Sequence, residues 1–220
     1  MFAGHFGLAA GVKALDSRLL TRSRATVAGA AERALPASAS AGVPLWALML
    51  ATQLLDVLFV FLLIPGVESF SGGSGYGEGV INAHYTHSLA GALLIALAAG
   101  AGAWKLWGRQ GGLIIAATVF SHWLLDLVVH RPDLPLLPGN AGNFPLLGFG
   151  LWNEPAISIT IEAVLIAAGA ILYVGSLLDG VKATAKTGAR REARARALLA
   201  GGVTSLLLVL ALVTSALGIG

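Results

Sequence analysis

The chain has 220 residues, 56% of them hydrophobic and 11% charged, with 14 Lys and Arg, 11 Asp and Glu, and no Cys. A soluble domain carries about 25% charge, and the mean hydropathy here is +0.81. This balance excludes a soluble globular enzyme, a disordered chain and a coiled coil, and the missing cysteines exclude a disulfide framework, a thiolate metal site and a cysteine nucleophile.

Residues 1–15 are a short apolar segment that contains His5. The segment is too short to cross a bilayer, and its basic residues follow it, whereas a signal peptide carries them in front. A half-membrane or re-entrant helix is expected. Residues 16–42 mix leucines with arginines. They read as a cytoplasmic insertion, either an amphipathic helix on the membrane surface or disordered. The small residues at 36–41 resemble a cleavage site, which keeps processing there as the lesser alternative.

Five apolar runs follow, at 43–67, 85–107, 111–130, 151–178 and 198–219. A bilayer core of about 30 Å needs about 20 helical residues, and only a helix satisfies its own backbone in lipid without closing a barrel. The expected fold is therefore all-α: a polytopic transmembrane helical bundle of about five spans, forming one membrane domain over 1–220.

The basic residues test this order. Lys13, Arg18, Arg22, Arg24 and Arg33 precede the first run. Lys105 and Arg109 fall in the second connection, and Lys182, Lys186, Arg190, Arg191, Arg194 and Arg196 in the fourth. Only Arg131 falls on the opposite side. The positive-inside rule places the N-terminal stretch and the 179–197 loop in the cytoplasm of a plasma-membrane protein. The same bias accounts for the basic excess without nucleic acid as a partner.

Two outer connections are distinctive. Residues 66–83 are glycine-rich, and 131–150 contain Pro132, Pro135, Pro138 and Pro145. No Gly-Lys-Ser/Thr follows the glycines, so neither is a phosphate loop. The first is either a lid or a plain linker.

Ionisable side chains inside a span point to function by default. Asp56, His87, His122, Asp126 and Glu162 lie within the runs, and His84, His130 and Glu154 lie at run ends. His122 and Asp126 are four residues apart and share a helix face, which His130 continues. No Lys or Arg lies deep in a span to balance the carboxylates. Buried charges must be paired or coordinate a metal, so the acids are either protonated or neutralised by a cation. Imidazole plus carboxylate without thiolate suits a divalent transition metal, zinc first. His5 reaches the same level only if its segment enters the bilayer.

These residues carry a resemblance to the YdjM-like family of bacterial inner-membrane, metal-dependent hydrolases. The matching motifs are Gly4-His5, Gln53-Leu54-Leu55-Asp56, Thr86-His87-Ser88 and Ser121-His122-Trp123-Leu124-Leu125-Asp126, followed by a Pro/Gly-rich loop. The resemblance implies metal ligands at His5, Asp56, His87, His122 and Asp126 and a prokaryotic plasma (inner) membrane location.

The expected activity is hydrolysis of a membrane lipid or amphipathic small-molecule ester, amide or phosphoester by a metal-activated water. Glu162 is expected as general base or further ligand. His84 or His130 is expected as a proton shuttle or substrate contact. Two rivals use the same residues: a proton- or cation-coupled transporter or channel, and an inactive accessory subunit. A homo-oligomer or a membrane partner subunit stays open.

Overall fold

Helix formation dominates the computed structural model, which describes residues 2–26, 42–73, 75–182 and 187–217. The helices are α1 (Phe2–Thr26), α2 (Leu45–Thr52), α3 (Leu54–Leu63), α4 (Leu89–Val129), α5 (Pro155–Lys182) and α6 (Thr187–Ala216). A two-stranded antiparallel ribbon, β1 (Ser69–Ser71) and β2 (Val80–Asn82), joins α3 to α4. Three helices are long and apolar enough to cross a membrane, or four if the bent pair α2–α3 counts as one span. An all-α membrane protein is the class these elements define.

Helix α4 spans 41 residues but is two helices merged across a kink at Trp107 and Gly108. Gly108 has φ +69°, a left-handed conformation that costs glycine nothing. The two halves lie against each other, because a Cβ on Gly100 would stand 2.7 Å from that of Ala116. An unbroken helix would separate those residues by about 24 Å at 1.5 Å per residue. The kink falls in the short connection expected between the runs 85–107 and 111–130.

Helix α1 departs from expectation. A single uninterrupted helix continues past residue 15 to Thr26, so no helix break falls at the boundary expected at 15/16 and the segment does not turn back. No Pro or Gly lies between Val12 and Thr26 to stop it. Ala3, Ala9, Ala10 and Ala14 are fully buried. Gly7 and Gly169 bring α1 and α5 into backbone contact, the small-residue packing used where lipid offers no hydrophobic drive between helices. The rest of the expected insertion, 27–41, lies outside the described residues, as do 183–186 of the 179–197 loop. The remainder of that loop is helical, since α5 runs to Lys182 and α6 begins at Thr187.

Asp16, expected in the insertion, is instead a buried tie. Its Oδ2 accepts the Val43 N–H at 3.0 Å and lies 3.6 Å from Lys13 Nζ. Lys13 Nζ in turn donates to the Val43 carbonyl at 2.9 Å. Asp16 thereby fixes where the chain enters α2. Asp16→Ala strands a buried N–H and a lysine, and is expected to lower stability by about 1–3 kcal/mol. Asp16→Asn, which keeps an acceptor, is expected to lose less; thermal unfolding in detergent compares the two.

The run expected as one span at 43–67 is broken. Helices α2 and α3 meet at Gln53 at a 50° bend, with Gln53 at φ −105° and ψ 4°. Leu48 and Leu55 on either side pack with Ala92, Val119 and Trp123 of α4. The bend turns the start of α3, and with it Asp56, toward the interior of the bundle.

Candidate metal centre

Four side-chain atoms from two helical segments and one loop converge. His122 Nε2 lies 3.0 Å from Asp126 Oδ2 and 3.5 Å from Asp56 Oδ1. His87 Nε2 lies 3.3 Å from Asp56 Oδ1, 3.6 Å from Asp126 Oδ2 and 3.3 Å from His122 Nε2. Atoms held about 2.1 Å from one zinc-sized ion stand about 3.0 Å (octahedral) to 3.4 Å (tetrahedral) from one another. The observed separations match that spacing.

Local sequence explains each placement. His122 and Asp126 are adjacent on one face of the second half of α4. In Thr86-His87-Ser88, each residue has its own task. Ser88 caps α4 by accepting the Gly91 N–H at 3.0 Å, a standard N-cap role. His87 faces the cluster, its backbone carbonyl held by Trp123 Nε1 at 2.9 Å. Thr86 sets the His87 tautomer: its hydroxyl donates to Glu68 Oε2 at 2.9 Å, which leaves its oxygen to accept from His87 Nδ1 at 2.9 Å.

The same logic applies to two more histidines. His122 Nδ1 donates to the Thr52 carbonyl, freed at the end of α2 by the bend. His130 Nδ1 meets Asp133 Oδ1 at 2.9 Å, and its Nε2 lies 3.7 Å from Asp126 Oδ2. Acceptors at all three Nδ1 atoms assign the protons there and leave three Nε2 lone pairs directed inward. Lone pairs would then face carboxylate oxygens, and each other, with no hydrogen between them. This shell of acceptors is satisfied either by a bound cation or by a second proton on the imidazoles, and outer partners of this kind orient metal-bound histidines.

Thr86→Val removes the outer partner of His87 while preserving shape. It is expected to lower metal affinity about 10- to 100-fold, read by competition with a chelating dye.

His5 is present as expected, because α1 enters the bundle. Its ring is stacked on His122 at 3.9 Å, and its Nε2 lies 3.2 Å from Asp126 Oδ1. It therefore meets the Asp126 oxygen opposite to the one the four-atom cluster shares. Its buried Nδ1 has no hydrogen-bond partner among the described residues.

The remaining expected residues lie elsewhere. Glu162 is fully buried in α5. Its Oε2 accepts from Ser215 at 3.4 Å, and its Oε1 has no hydrogen-bond partner among the described residues. The His84 carbonyl accepts the Gly139 N–H at 2.9 Å, and the cavity above the cluster is lined by His130 and not by His84.

Sequence reasoning missed Glu68, which is 2% exposed in the outer loop and also accepts the Tyr85 and Thr86 N–H groups at 2.7 and 2.9 Å. It missed Asp133 as well, although a His three residues before an acid was a usable signal.

The cavity holds about 260 Å³ and is bounded by His5, Asp56, Asp126 and His130 below. The glycine-rich loop forms its roof, through Gly73, Gly75, Tyr76, Gly77 and Gly79. Arg131 donates to the Gly77 carbonyl at 2.8 Å and so draws the roof down. Burial and the neighbouring Glu162 carboxylate push the Tyr76 phenol above its ordinary pKa. The Asp56 side chain is 40% exposed, so the cluster is reached from this cavity.

No protein-family model, no curated protein and no solved structure matches the chain. Function has to be argued from the site.

Proposed function

We propose that this chain is a five-span bacterial inner-membrane protein that holds a divalent transition metal, zinc first, and hydrolyses an amphipathic ester, amide or phosphoester. The observation that carries the reading is the set of inward Nε2 lone pairs spaced with two carboxylates as the donors of one ion are spaced. The spans are the bent pair α2–α3, the two halves of α4, α5 and α6. Helix α1 lines them from within, and the basic side is cytoplasmic.

Asp56, His87, His122 and Asp126 would hold the ion, with His5 steadying Asp126 from its other oxygen. A bound cation supplies Lewis acidity and an acidified water. His130, fixed by Asp133 and facing both Asp126 and the cavity, takes the proton-shuttle role read above for His84 or His130, in preference to His84, and the base role read for Glu162. The roof excludes bulk water while Arg131 holds it.

Elemental analysis of detergent-purified protein tests the centre. About one transition-metal ion per chain is expected; none, even after reconstitution with zinc, manganese or iron, overturns the reading.

A cation-coupled transporter is the second reading. The broken helix favours it, because transporters place substrate and ion sites at interrupted helices. Cation-driven flux in proteoliposomes, abolished in Asp126→Asn, would favour it over hydrolysis.

A further inference from the structure

We propose that the substrate is a membrane lipid and that one of its acyl chains lies in an apolar slot along α1, beneath the metal centre. The lipid's polar end rests on the metal-centre reading above; the slot rests on observations of its own.

The first is its place in the fold. The slot lies between α1, the second half of α4 and α5, and holds about 540 Å³. Leu8, Val12, Leu15 and Leu19 of α1 line it, and by helical spacing they continue the face of His5. Ile114 and Thr118 of α4 line it as well, and Thr118 shares a face with His122, four residues on. The two stripes lead to the His5 and His122 rings, which are stacked at 3.9 Å. On α5, Leu165 lines the slot and packs against the Val129 and Trp152 pair, and Trp152 lines the outer cavity. The slot thus runs from the level of the centre toward the basic end of α1, where Lys13 and Arg18 lie.

The second is its opening and its size. Leu15 and Leu19 are each 53% exposed, and Ala117 and Ala168, which also line the slot, are exposed, so it opens sideways to lipid. From Gly7 to Leu19 it is about 18 Å long at 1.5 Å per residue. That is close to the depth of one leaflet, about 15 Å. A partner helix of the same length, about 10 Å across, would fill about 1,400 Å³ and does not fit.

The third is a polar atom without a partner. Asp16, at the far end of the slot, is tied to Val43 and Lys13. The Ser121 hydroxyl donates to the Thr118 carbonyl at 2.7 Å. The buried Thr118 hydroxyl has no hydrogen-bond partner among the described residues, and buried polar atoms are normally satisfied. Hydrocarbon alone cannot satisfy it, but the ester carbonyl at the head of an acyl chain can. Thr118 lies one turn, about 6 Å, from His122 along the helix. The lipid then places its phosphoester at the metal, its acyl ester at Thr118 and its chain along α1.

The test uses palmitoyl lysophosphatidate with a mid-chain diazirine, at low mole fraction in nanodiscs that hold the zinc-loaded protein. Cross-linked residues are mapped by mass spectrometry, and metal content is measured in every sample. Label is expected on Val12, Leu15, Ile114 and Leu172, and not on Leu206 and Leu210, exposed leucines of α6. Gly11→Leu puts bulk into the slot without a backbone collision, since an added Cβ meets nothing nearer than 3.9 Å. It is expected to lower slot labelling about tenfold, the scale of overpacking. Ala168→Phe, at an exposed position, blocks the slot by a second route that does not burden folding, and Gly102→Leu is the control. Wild type is expected to take the acyl probe about threefold or more over its ether analogue, the scale of one neutral hydrogen bond, and Thr118→Val to abolish that preference.

Label spread evenly over the lipid-facing helices overturns the proposal, and so does slot labelling that survives both blocking variants. Equal labelling by the acyl and ether probes overturns the place given to the ester. A second polypeptide that co-purifies and takes the slot's cross-links instead of the lipid overturns the assignment of the occupant. Slot labelling in wild type that carries no metal sinks the metal reading alone; a full complement of metal without slot labelling sinks this proposal alone.

Discussion

His122→Ala is expected to abolish stoichiometric metal retention. His122 Nε2 is the most central atom of the cluster, within 3.5 Å of both carboxylates and of His87. Its loss removes one donor of four, the stacking surface of His5 and the anchor to the Thr52 carbonyl. The two carboxylates then share a pocket with less to compensate their repulsion. Loss of a coordinating residue is expected to cost at least as much as the 10- to 100-fold typical of an outer partner, so about 100-fold or more. Elemental analysis after gel filtration reads this directly. A mutant that kept one ion per chain would show that His122 is not a ligand.

Gly7→Leu is expected to have the largest effect on the fold, and Gly7→Ala a smaller one of the same kind. A Cβ at position 7 would lie 2.8 Å from the Ile166 backbone. Backbone cannot swing aside as a side chain can, so α1 and α5 must part. Overpacking in a close-packed interior costs about 1–3 kcal/mol, and a backbone collision lies at or above the upper end. His5 lies only two residues from Gly7, so separation would also withdraw it from Asp126. The expected result is a lower unfolding temperature in detergent together with weaker metal binding. Replacement of Gly102, where an added Cβ meets nothing within 4 Å, is the control and should leave both unchanged. Equal tolerance at 7 and 102 would show that the helix contact is not tight.

The sequence made part of the centre readable because helical spacing is a local property. His122 and Asp126, four apart, had to share a face, and His130 extended it. The turn in α4 was visible as a short polar break containing Gly108. Other parts depended on tertiary structure. The bend at Gln53 has no Pro or Gly to announce it, and its use, a free Thr52 carbonyl for His122, appears only when α2 meets α4. Glu68 sits in a loop whose composition suggests solvent; it is buried because three donors from Tyr85 and Thr86 converge on it. The continuation of α1 beyond residue 15 was obscured by charge: the basic residues looked like a boundary, although none of them stops a helix. The loop expected as lid or linker proved to be a roof, a distinction that composition alone does not make.

The partnership of α1 with α5 also bears on biosynthesis. Helix α1 leaves the ribosome well before α5, since the surface that receives it, around Ile166 and Gly169, is made more than 150 residues later. Until then its glycine face has no mate on α5. Chains emerge at about 5–20 residues per second, so α1 waits roughly ten seconds or more for the surface that receives it. A product truncated before α5 therefore lacks the surface that seats α1 and His5, and is expected to bind metal more weakly than the full chain even though it contains every one of the five expected ligands.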